Sequence, residues 1–359
     1  MRIHASSGPG EIRVAVVADG ELAEVAVERP GAPDGVGDLH RGRVATHATP
    51  LAGSFVRLAD RDGFLPDSEG GDVPEGTVLG VRVTRAAQGG KGPRLSARLT
   101  EAERLLLGDG PPALLRRGPG AVARMAALYP DAEIVVDDTA LLGAGRKLVG
   151  RAFDDELEAA FSALAEPVAE LPGGARMSVH PTPALTAIDV DLGSGATGRG
   201  GKTRMHEAAN RAAIPAIARQ IRLRNLAGPI LVDLAGLSPR RRAALGPEFS
   251  TALEADPLKP RFLGFSALGL AEILRPRVHP PLHELFEGPH AAGLVALRVL
   301  AREIAANPAR SPLLAAAPAV AAALEADTVA LGDLARRAGR PLILRQDVSL
   351  APLGWRIVE

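Results

Sequence analysis

The N-terminal part of the chain consists of short segments in which apolar and polar residues alternate, which is the period of a half-buried β-strand. Residues 11–29 read IRVAVV, then Asp19-Gly20, then LAEVAVER, and an Asp-Gly pair between alternating segments predicts a β-hairpin. Residues 38–99 contain five more such segments, LHRGRVATHA, GSFVRLA, DGFLP, TVLGVRVTRAA and GPRLSARL. Five short strands separated by glycine turns predict a small barrel of the OB type.

Helical periodicity enters the pattern after residue 100. Residues 105–120 are polar and rich in Gly and Pro, and the segment is too short to fold into an additional sheet. The next predicted elements are a helix and a strand over AVARMAALYPDAEIVVDDTALL, a helix over 153–172, and two strands over ARMSVHPTPALTAIDVDLGSG. They are followed by a helix over 204–226, a strand ending at Asp233, a capped helix over SPRRRAAL, a strand over 259–265, a helix after residues 266–270, and the order helix, helix, strand in the C-terminal segment. This alternation predicts an α+β chain with more than one domain.

Two acidic residues each end a short apolar segment. Asp189 follows Leu-Thr-Ala-Ile, and Asp233 follows Ile-Leu-Val. Both segments read as buried strands, and a carboxylate at the end of a buried strand is costly unless it is paired. Two such carboxylates on neighbouring strands predict a hard divalent cation, most simply Mg²⁺. The alternative is that both aspartates bond to loop amides and only terminate the strands.

The segment between the two aspartates is basic. It opens with a glycine-rich loop that matches no phosphate-loop motif, and continues as the predicted helix. At 100° per residue, Arg204, Arg211, Arg219 and Arg222 fall in one arc, and the apolar side chains fall on the other side. We therefore predict a helix that packs with one face and contacts phosphates with the other. A solvated charged face is the alternative, and it is weakened because Glu207 is the only acid between residues 204 and 226.

Composition limits the number of domains, the kinds of site and the cellular compartment that we expect. The 359 residues allow two or three domains, and 42 basic residues balance 42 acidic ones, so any nucleic-acid signal must be local. The absence of Cys excludes a disulfide framework and a thiolate metal site, and fits a reducing compartment. We find neither a signal-peptide pattern nor an apolar segment of about 20 residues that would span a membrane. We therefore expect a cytoplasmic protein without a membrane partner.

Three blocks of this sequence resemble the ribonuclease E/G family. They are AIDVDLGSG, RQIRLRNLAGPILVDLAGL and GFSALGLAEILRPR, in the family's order and at similar spacing, and fainter similarity covers most of the chain. The resemblance implies an RNase H-like subdomain (1–37 and 100–172) split by an inserted OB-fold RNA-binding barrel (38–99). A DNase I-like α/β catalytic subdomain (173–278) and a linker with a small C-terminal α+β domain (279–359) would follow.

The same resemblance implies a function, a Mg²⁺-dependent endoribonuclease that hydrolyses single-stranded RNA. Asp189 and Asp233 match the family's two metal-binding aspartates and would be both the metal ligands and the catalytic residues. Secondary candidates are Asp191, which replaces an Asn of the family, and Asn210. Gly236 replaces the family's second Asp in the later block. The alternative function is a protein that binds RNA without cutting it efficiently.

The resemblance also implies that Phe55, Phe64 and Lys91 of the barrel contact single-stranded RNA. With these, the residues expected to bind RNA lie on the barrel and the basic helix: Phe55, Phe64, Lys91, Arg43, Arg204, Arg211, Arg219 and Arg222. Stacking of bases on the two phenylalanines would tolerate any sequence, and burial in the barrel core is the alternative for both. Six arginines of the barrel are candidates for an RNA groove, with a solvated face as the alternative for each: Arg41, Arg43, Arg57, Arg82, Arg85 and Arg94.

Two features of longer family members have no counterpart in this chain. Between Thr100 and Ala121 we find no segment that would sense a 5′-monophosphate, so 5′-phosphate and 5′-hydroxyl RNA should be cut at similar rates. The family's Cys-x-x-Cys zinc link is also missing, and the spacing of His279, His283 and His290 fits no zinc template. We therefore do not expect zinc, and a homodimer is left open.

Overall fold

A computed structural model of the protein describes residues 1–192, 202–309 and 312–358, and for 202–204 it describes the backbone alone. The strands in these residues are β1 (Arg2–Gly8), β2 (Glu11–Ala18), β3 (Glu21–Glu28), β4 (Leu39–Ala48), β5 (Gly53–Arg57), β6 (Asp62–Pro66), β7 (Val78–Arg85), β8 (Arg94–Ser96), β9 (Ala113–Arg116), β10 (Glu133–Val136), β11 (Arg146–Leu148), β12 (Val168–Leu171), β13 (Ala175–Pro181), β14 (Thr186–Asp191), β15 (Gly228–Asp233), β16 (Arg261–Phe265), β17 (Ala271–Arg275), β18 (Leu313–Ala316), β19 (Leu344–Gln346) and β20 (Trp355–Val358).

The helices of the same residues are α1 (Asp67–Gly70), α2 (Glu101–Leu105), α3 (Ala121–Leu128), α4 (Asp155–Ser162), α5 (Lys202–Leu223), α6 (Pro239–Ala243), α7 (Gly246–Leu253), α8 (Leu282–Phe286), α9 (Gly288–Ala306), α10 (Pro318–Ala326) and α11 (Thr328–Ala338). Single turns of 3-10 helix lie at Thr49–Leu51, Thr139–Leu141, Ala163–Ala165 and Pro172–Gly174. This mixture of sheets and helices confirms the predicted α/β (α+β multidomain) class.

The chain divides into two compact units. One contains residues 1–31, 125–276 and 281–359, and the other contains residues 32–124 and 277–280. The second unit is thus inserted into the sequence of the first. The domain boundaries proposed from the sequence stay predictions.

The N-terminal sheet of the first unit has the strand order β11-β10-β1-β2-β3. β1, β2 and β3 are antiparallel neighbours, whereas β10 and β11 run parallel to β1. The predicted hairpin is confirmed, and its turn residues Asp19 and Gly20 have φ values of 52° and 80°, as the tight turn between twisted strands requires. β1 was not predicted because its sequence, RIHASSG, carries mostly residues that are either small or polar, although Ile3 and Ala5 are fully buried.

The second unit is a closed barrel. β4, β5, β6, β8 and β7 pair in that order, and β7 pairs back to β4, which confirms the five predicted strands and the OB-type barrel. Its core consists of buried aliphatic residues from alternate positions: Val44, Val56, Leu58, Leu65, Val81, Val83 and Leu95. Within the short Gly- and Pro-rich segment 105–120, β9 pairs with β4 and adds a strand beside the barrel.

The large sheet of the first unit has the order β12-β13-β14-β15-β17-β16, in which β14 and β15 form the parallel pair. Helices α5 and α7 pack against it through a core that includes Ile188, Ile217, Ile221, Val232 and Phe249. The helix predicted after residues 266–270 was wrong, since this segment is β17. Ala271, Ile273 and Arg275 alternate as its buried positions, and β17 pairs with both β15 and β16.

Two other predicted elements differ from the structure. The helix predicted over 153–172 ends at Ser162, and Val168–Leu171 is the edge strand β12. In the C-terminal segment, LLAA forms β18 rather than the start of a helix, because it lies between β19 and β20 in a three-stranded sheet. Both strands are only four residues long, which is too short for hydrophobic periodicity to distinguish strand from helix.

None of the helices in the described part of the chain is long and apolar enough to cross a lipid bilayer.

Candidate active site

Asp189 and Asp233 lie directly opposite each other on the parallel strands β14 and β15. Their neighbours Ile188, Val190 and Val232 point into the core, so the two carboxylates share the opposite, exposed face of the sheet. Adjacent strands are about 4.8 Å apart, which places the carboxylates side by side. The premise that burial makes them costly was wrong, since the Asp233 side chain is 51% exposed. Exposure instead leaves the pair accessible to a hydrated cation and to a polymer substrate.

Arg242 holds one of these carboxylates. Its Nη1 donates to Oδ1 of Asp233 at 3.1 Å and to the carbonyl of Gly269 at 2.6 Å, and its Nε donates to the carbonyl of Leu237 at 2.9 Å. Gly269 has a φ of 82°, and a Cβ there would lie 2.9 Å from Nη1 of Arg242. The guanidinium is thus fixed by two backbone carbonyls, and Asp233 is oriented by it.

Sequence reasoning missed Arg242 as a site residue. The sequence showed three arginines in SPRRRAAL, but nothing in it separates Arg242 from Arg240 and Arg241. The contact depends on the turn between β16 and β17, which was predicted to open a helix. Because the β17 prediction was wrong, this turn could not be placed near Asp233.

The described residues fit Mg²⁺ better than an all-protein metal cage. No group of three or more His, Cys, Asp or Glu side chains close enough to hold a metal occurs among them. Mg²⁺ usually keeps several waters and takes one or two carboxylates together with a phosphate oxygen, and Asp189 with Asp233 provides that number. Asp191 is exposed on the same face of β14, two residues after Asp189. This face therefore carries three carboxylates and the guanidinium of Arg242.

Asn210 lies beneath this edge of the sheet rather than at its surface. It is fully buried, and its Nδ2 donates to the carbonyls of His206 and Ala235 at 2.7 and 2.9 Å. These bonds tie α5 to the loop that follows Asp233. In the same loop Gly236 has a φ of 65°, and a Cβ there would lie 2.2 Å from Nδ1 of His206. An Asp side chain here, as in the family pattern, would therefore be strained by the backbone conformation and would have to displace His206.

The basic stripe of α5 is paired with acids from other elements. Arg219 donates to the carbonyl of Leu22 at 2.7 Å and forms an ion pair with Glu21 at 2.6 Å. Arg222 donates to the carbonyl of Ala23 at 3.0 Å and lies 3.7 Å from Glu24.

Arg211 forms ion pairs with Glu248 and, at 3.6 Å, with Glu207. The prediction considered only the acids of the helix itself, whereas β3 and α7 supply the others. The geometry favours packing for Arg219 and Arg222, and RNA contact by the stripe stays a prediction. The side chain of Arg204 and the glycine-rich loop 193–201 lie outside the described residues.

On the barrel, Phe55 and Phe64 face each other on β5 and β6 with ring centroids 5.6 Å apart. Phe55 is 39% exposed, and neither ring belongs to the barrel core. The core alternative is therefore excluded for Phe55. Lys91 is exposed in the turn closed by its bridge to Gln88.

The six candidate arginines of the barrel fall into two groups. Arg41 donates to the carbonyls of Leu107 and Pro111, Arg57 lies 3.4 Å from Asp62, and Arg82 forms an ion pair with Glu103 at 2.9 Å. The side chains of the other three form no hydrogen bond or ion pair with any described residue: Arg43, Arg85 and Arg94.

The remaining basic candidates are engaged with acids. Arg116 pairs with Glu103, and Arg117 with Asp38, each at 2.8 Å. His279 bonds to Asp34 at 2.6 Å, and His290 to Asp327 at 2.9 Å.

Comparison with known proteins identifies the region that holds the two aspartates. A sequence model described as "Ribonuclease E/G family" matches residues 148–278. Ribonuclease E from Nostoc sp. is 39% identical over 134 residues, which cover 36% of this chain and 19% of that protein. Ribonuclease E from Synechocystis sp. is 35% identical over 129 residues, covering 34% and 18%.

Ribonuclease G from Escherichia coli is 32% identical over 198 residues, which cover 51% of this chain and 40% of that protein. The chain thus spans at most 40% of the length of these three relatives. The matched region contains both aspartates and Arg242. Residues 148–278 are therefore similar to the ribonuclease E/G family, and the chain is similar to ribonucleases E and G over the aligned residues.

Proposed function

We propose that the protein is an endoribonuclease that hydrolyses single-stranded RNA with the help of Mg²⁺. One observation carries the proposal: Asp189 and Asp233 lie in register on the exposed face of parallel strands, inside the segment that matches the ribonuclease E/G family. Relatives named ribonuclease E and ribonuclease G support the reaction class. A cytoplasmic location and a homodimer stay predictions from the sequence.

The chain's own residues would prepare the site for a metal-bound phosphate. Bound Mg²⁺ would neutralise charge on the scissile phosphate and make a water nucleophilic at neutral pH. Asp189 and Asp233 would hold it. Arg242 fixes Oδ1 of Asp233 and leaves Oδ2 available, and hydrogen bonds of this kind orient carboxylates that bind metals. Its positive charge also offsets part of the charge of the three carboxylates on this face.

The barrel would hold the substrate. The exposed ring of Phe55, with Phe64 beside it, offers a stacking surface, and each base stacked on an aromatic ring contributes about 1–3 kcal/mol without sequence preference. Arg43 and Lys91 are exposed cations of the same unit. This combination favours single-stranded RNA, because the bases of a duplex are not free to stack on a protein side chain.

The test is cleavage of a labelled single-stranded RNA by the purified full chain. We expect internal cuts that leave 5′-phosphate and 3′-hydroxyl ends with Mg²⁺ present, and none when the metal is chelated. A duplex of the same sequence should be cut much more slowly. Cleavage that persists in chelator would overturn the metal assignment.

A second candidate function is RNA binding without efficient cleavage. It is favoured by the barrel, whose exposed aromatic ring and unpaired arginines suffice for binding whatever the two aspartates do. Tight binding of single-stranded RNA by the wild-type chain, with no cleavage at any Mg²⁺ concentration, would select it.

A further inference from the structure

Four outward-facing residues of the barrel form a row across four neighbouring strands. Phe55 lies opposite Phe64, Phe64 opposite Arg94, and Arg94 opposite Arg85. The residues next to the first three on the same strands point inward and form the core: Val56, Leu65 and Leu95. On β7 the register shifts between the core residue Val83 and Arg85, and this irregularity brings Arg85 opposite Arg94. With about 4.8 Å between strands, this aromatic–arginine row is about 14 Å long. It presents two rings at one end and two guanidinium groups at the other.

The arginine end of the row lacks counter-charge. Neither Arg85 nor Arg94 forms a side-chain hydrogen bond or ion pair with any described residue, although Arg57 and Arg82 of the same barrel are paired. Nε of Arg85 is buried without a hydrogen-bond partner. Burial, and then the charges of Arg94 and Arg277, lower the pKa of Arg85 below its ordinary value.

This arrangement is unfavourable in the protein alone. Like charges directly opposite each other in a sheet are destabilising, and a buried donor without a partner costs about 1–3 kcal/mol. An anion between the two guanidinium groups would remove both costs. Such an anion would have to approach from the solvent-facing side of the barrel, beside the phenylalanine rings.

We propose that Arg85 and Arg94 form a phosphate-binding pair for the single-stranded RNA whose bases stack on Phe55 and Phe64. The inference rests on the proposed function for the nature of the ligand. It adds the position of the backbone: the RNA crosses β5, β6, β8 and β7, with bases at the aromatic end and a phosphate at the arginine end. Guanidinium groups suit this task because they donate paired hydrogen bonds to phosphate oxygens.

The first experiment measures binding of a fluorescent single-stranded RNA in the presence of chelator, so that no cleavage occurs. Arg85→Gln and Arg94→Gln should each weaken binding about tenfold, as expected for hydrogen bonds to a charged group. Each should also reduce the slope of log affinity against log salt by about 0.7, the value for one phosphate contact of a single strand. The control is Arg61→Gln, an exposed arginine in the turn between β5 and β6 that is paired with Asp60 outside the row and should leave the slope unchanged.

The second experiment measures thermal unfolding without RNA. Because the wild-type pair is repulsive, Arg94→Gln should be at least as stable as the wild type, whereas loss of a structural arginine would lower the melting temperature. An unchanged salt slope in both variants, or weaker binding explained by a lower melting temperature, would overturn the proposal. The proposal would also be overturned, in favour of a free-phosphate site, if inorganic phosphate raised the melting temperature of the wild type as much as RNA does at equal ionic strength.

The outcome is separable from that of the proposed function. Binding in chelator does not involve Asp189 or Asp233. If the wild type never cleaves RNA but Arg85→Gln and Arg94→Gln both reduce the slope of log affinity against log salt, this inference stands and the enzymatic proposal fails. If the wild type cleaves RNA while both variants keep the wild-type slope, the enzymatic proposal stands and this inference fails.

Discussion

At the scale of single residues, the geometry of Asp233 depends on one guanidinium. Arg242 reaches it from α6 and is itself held by the carbonyls of Leu237 and Gly269. Partners of this kind commonly change metal affinity by about 10–100-fold when they are removed. Under the proposed function, Arg242 is thus a positioning residue, which would act through Asp233 rather than on the RNA.

We predict that Arg242→Gln weakens metal binding more than RNA binding. Mn²⁺ titration followed by electron paramagnetic resonance should show an affinity reduced about tenfold or more, and half-maximal cleavage should require correspondingly more Mg²⁺. The KM for RNA should change little. Arg240→Gln is the matched control, because Arg240 is exposed on the same helix. Equal effects of the two substitutions would contradict the positioning role.

Gly236 gives a second prediction at this scale. Restoring the acidic residue of the family pattern, Gly236→Asp, should destabilise the protein, since its backbone has a φ of 65° and its Cβ would collide with His206. The left-handed conformation alone costs about 1–2 kcal/mol. Gly228→Ala isolates that part, because Gly228 has a φ of 80° and open space around it. Urea unfolding should show the larger loss for Gly236→Asp, and equal losses would mean that His206 moves aside.

At the scale of elements, Arg219 and Arg222 fasten α5 to the hairpin of the N-terminal sheet, and the carboxyl of Glu24 is buried beside this contact. Burial raises the pKa of Glu24 to about 7, although the nearby charge of Arg222 acts in the opposite direction. A carboxyl whose pKa is raised by folding stabilises the protein while it is protonated. This contribution is fully present below pH 4.5 and is lost as the pH rises through about 7.

Glu24→Gln should therefore flatten the pH dependence of stability. The free energy of unfolding of the wild type should fall relative to that of the variant between pH 5 and pH 8, because the wild type must ionise a buried carboxyl over this range. Urea unfolding at the two pH values measures the difference. Glu21→Gln, at an exposed position of the same strand, is the control. Parallel pH profiles for wild type and Glu24→Gln would show that Glu24 ionises normally.

The segment between the barrel and α3 bears on recognition of RNA ends. Arg116 and Arg117 are the basic residues that a 5′-phosphate would meet there, but Glu103 and Asp38 already bind them. We therefore expect 5′-monophosphate and 5′-hydroxyl forms of one RNA to be cut with kcat/KM values that agree within about tenfold. A larger preference, equivalent to about 1.4 kcal/mol or more, would reveal a 5′-end site. Arg116→Gln and Arg117→Gln would then show whether these residues form it.

At the scale of the whole molecule, the sequence predicted the elements whose structure depends on the pattern of neighbouring residues. Alternation with an Asp-Gly turn placed the first hairpin, and five short strands placed the barrel. The two apolar segments before Asp189 and Asp233 became neighbouring parallel strands. These features follow from side-chain period and turn chemistry, which are properties of contiguous residues.

The sequence failed where distant parts of the chain decide the outcome. β17 is a strand because β15 and β16 lie on either side of it, and Arg242 meets Asp233 only because of the turn before β17. Likewise, the acids that pair with Arg211 and Arg219 come from α7 and β3. No periodicity within a segment reports such contacts.

The central claim is that Asp189 and Asp233 together hold the catalytic metal, and the most direct measurement is RNA cleavage and RNA binding by their Asn variants. Asp189→Asn and Asp233→Asn should each reduce cleavage with Mg²⁺ to the level seen in chelator, while the affinity for single-stranded RNA stays within a few fold of wild type. Glu170→Gln, an exposed carboxyl on the same sheet, should cut normally. Cleavage at the wild-type rate by either aspartate variant would contradict the account.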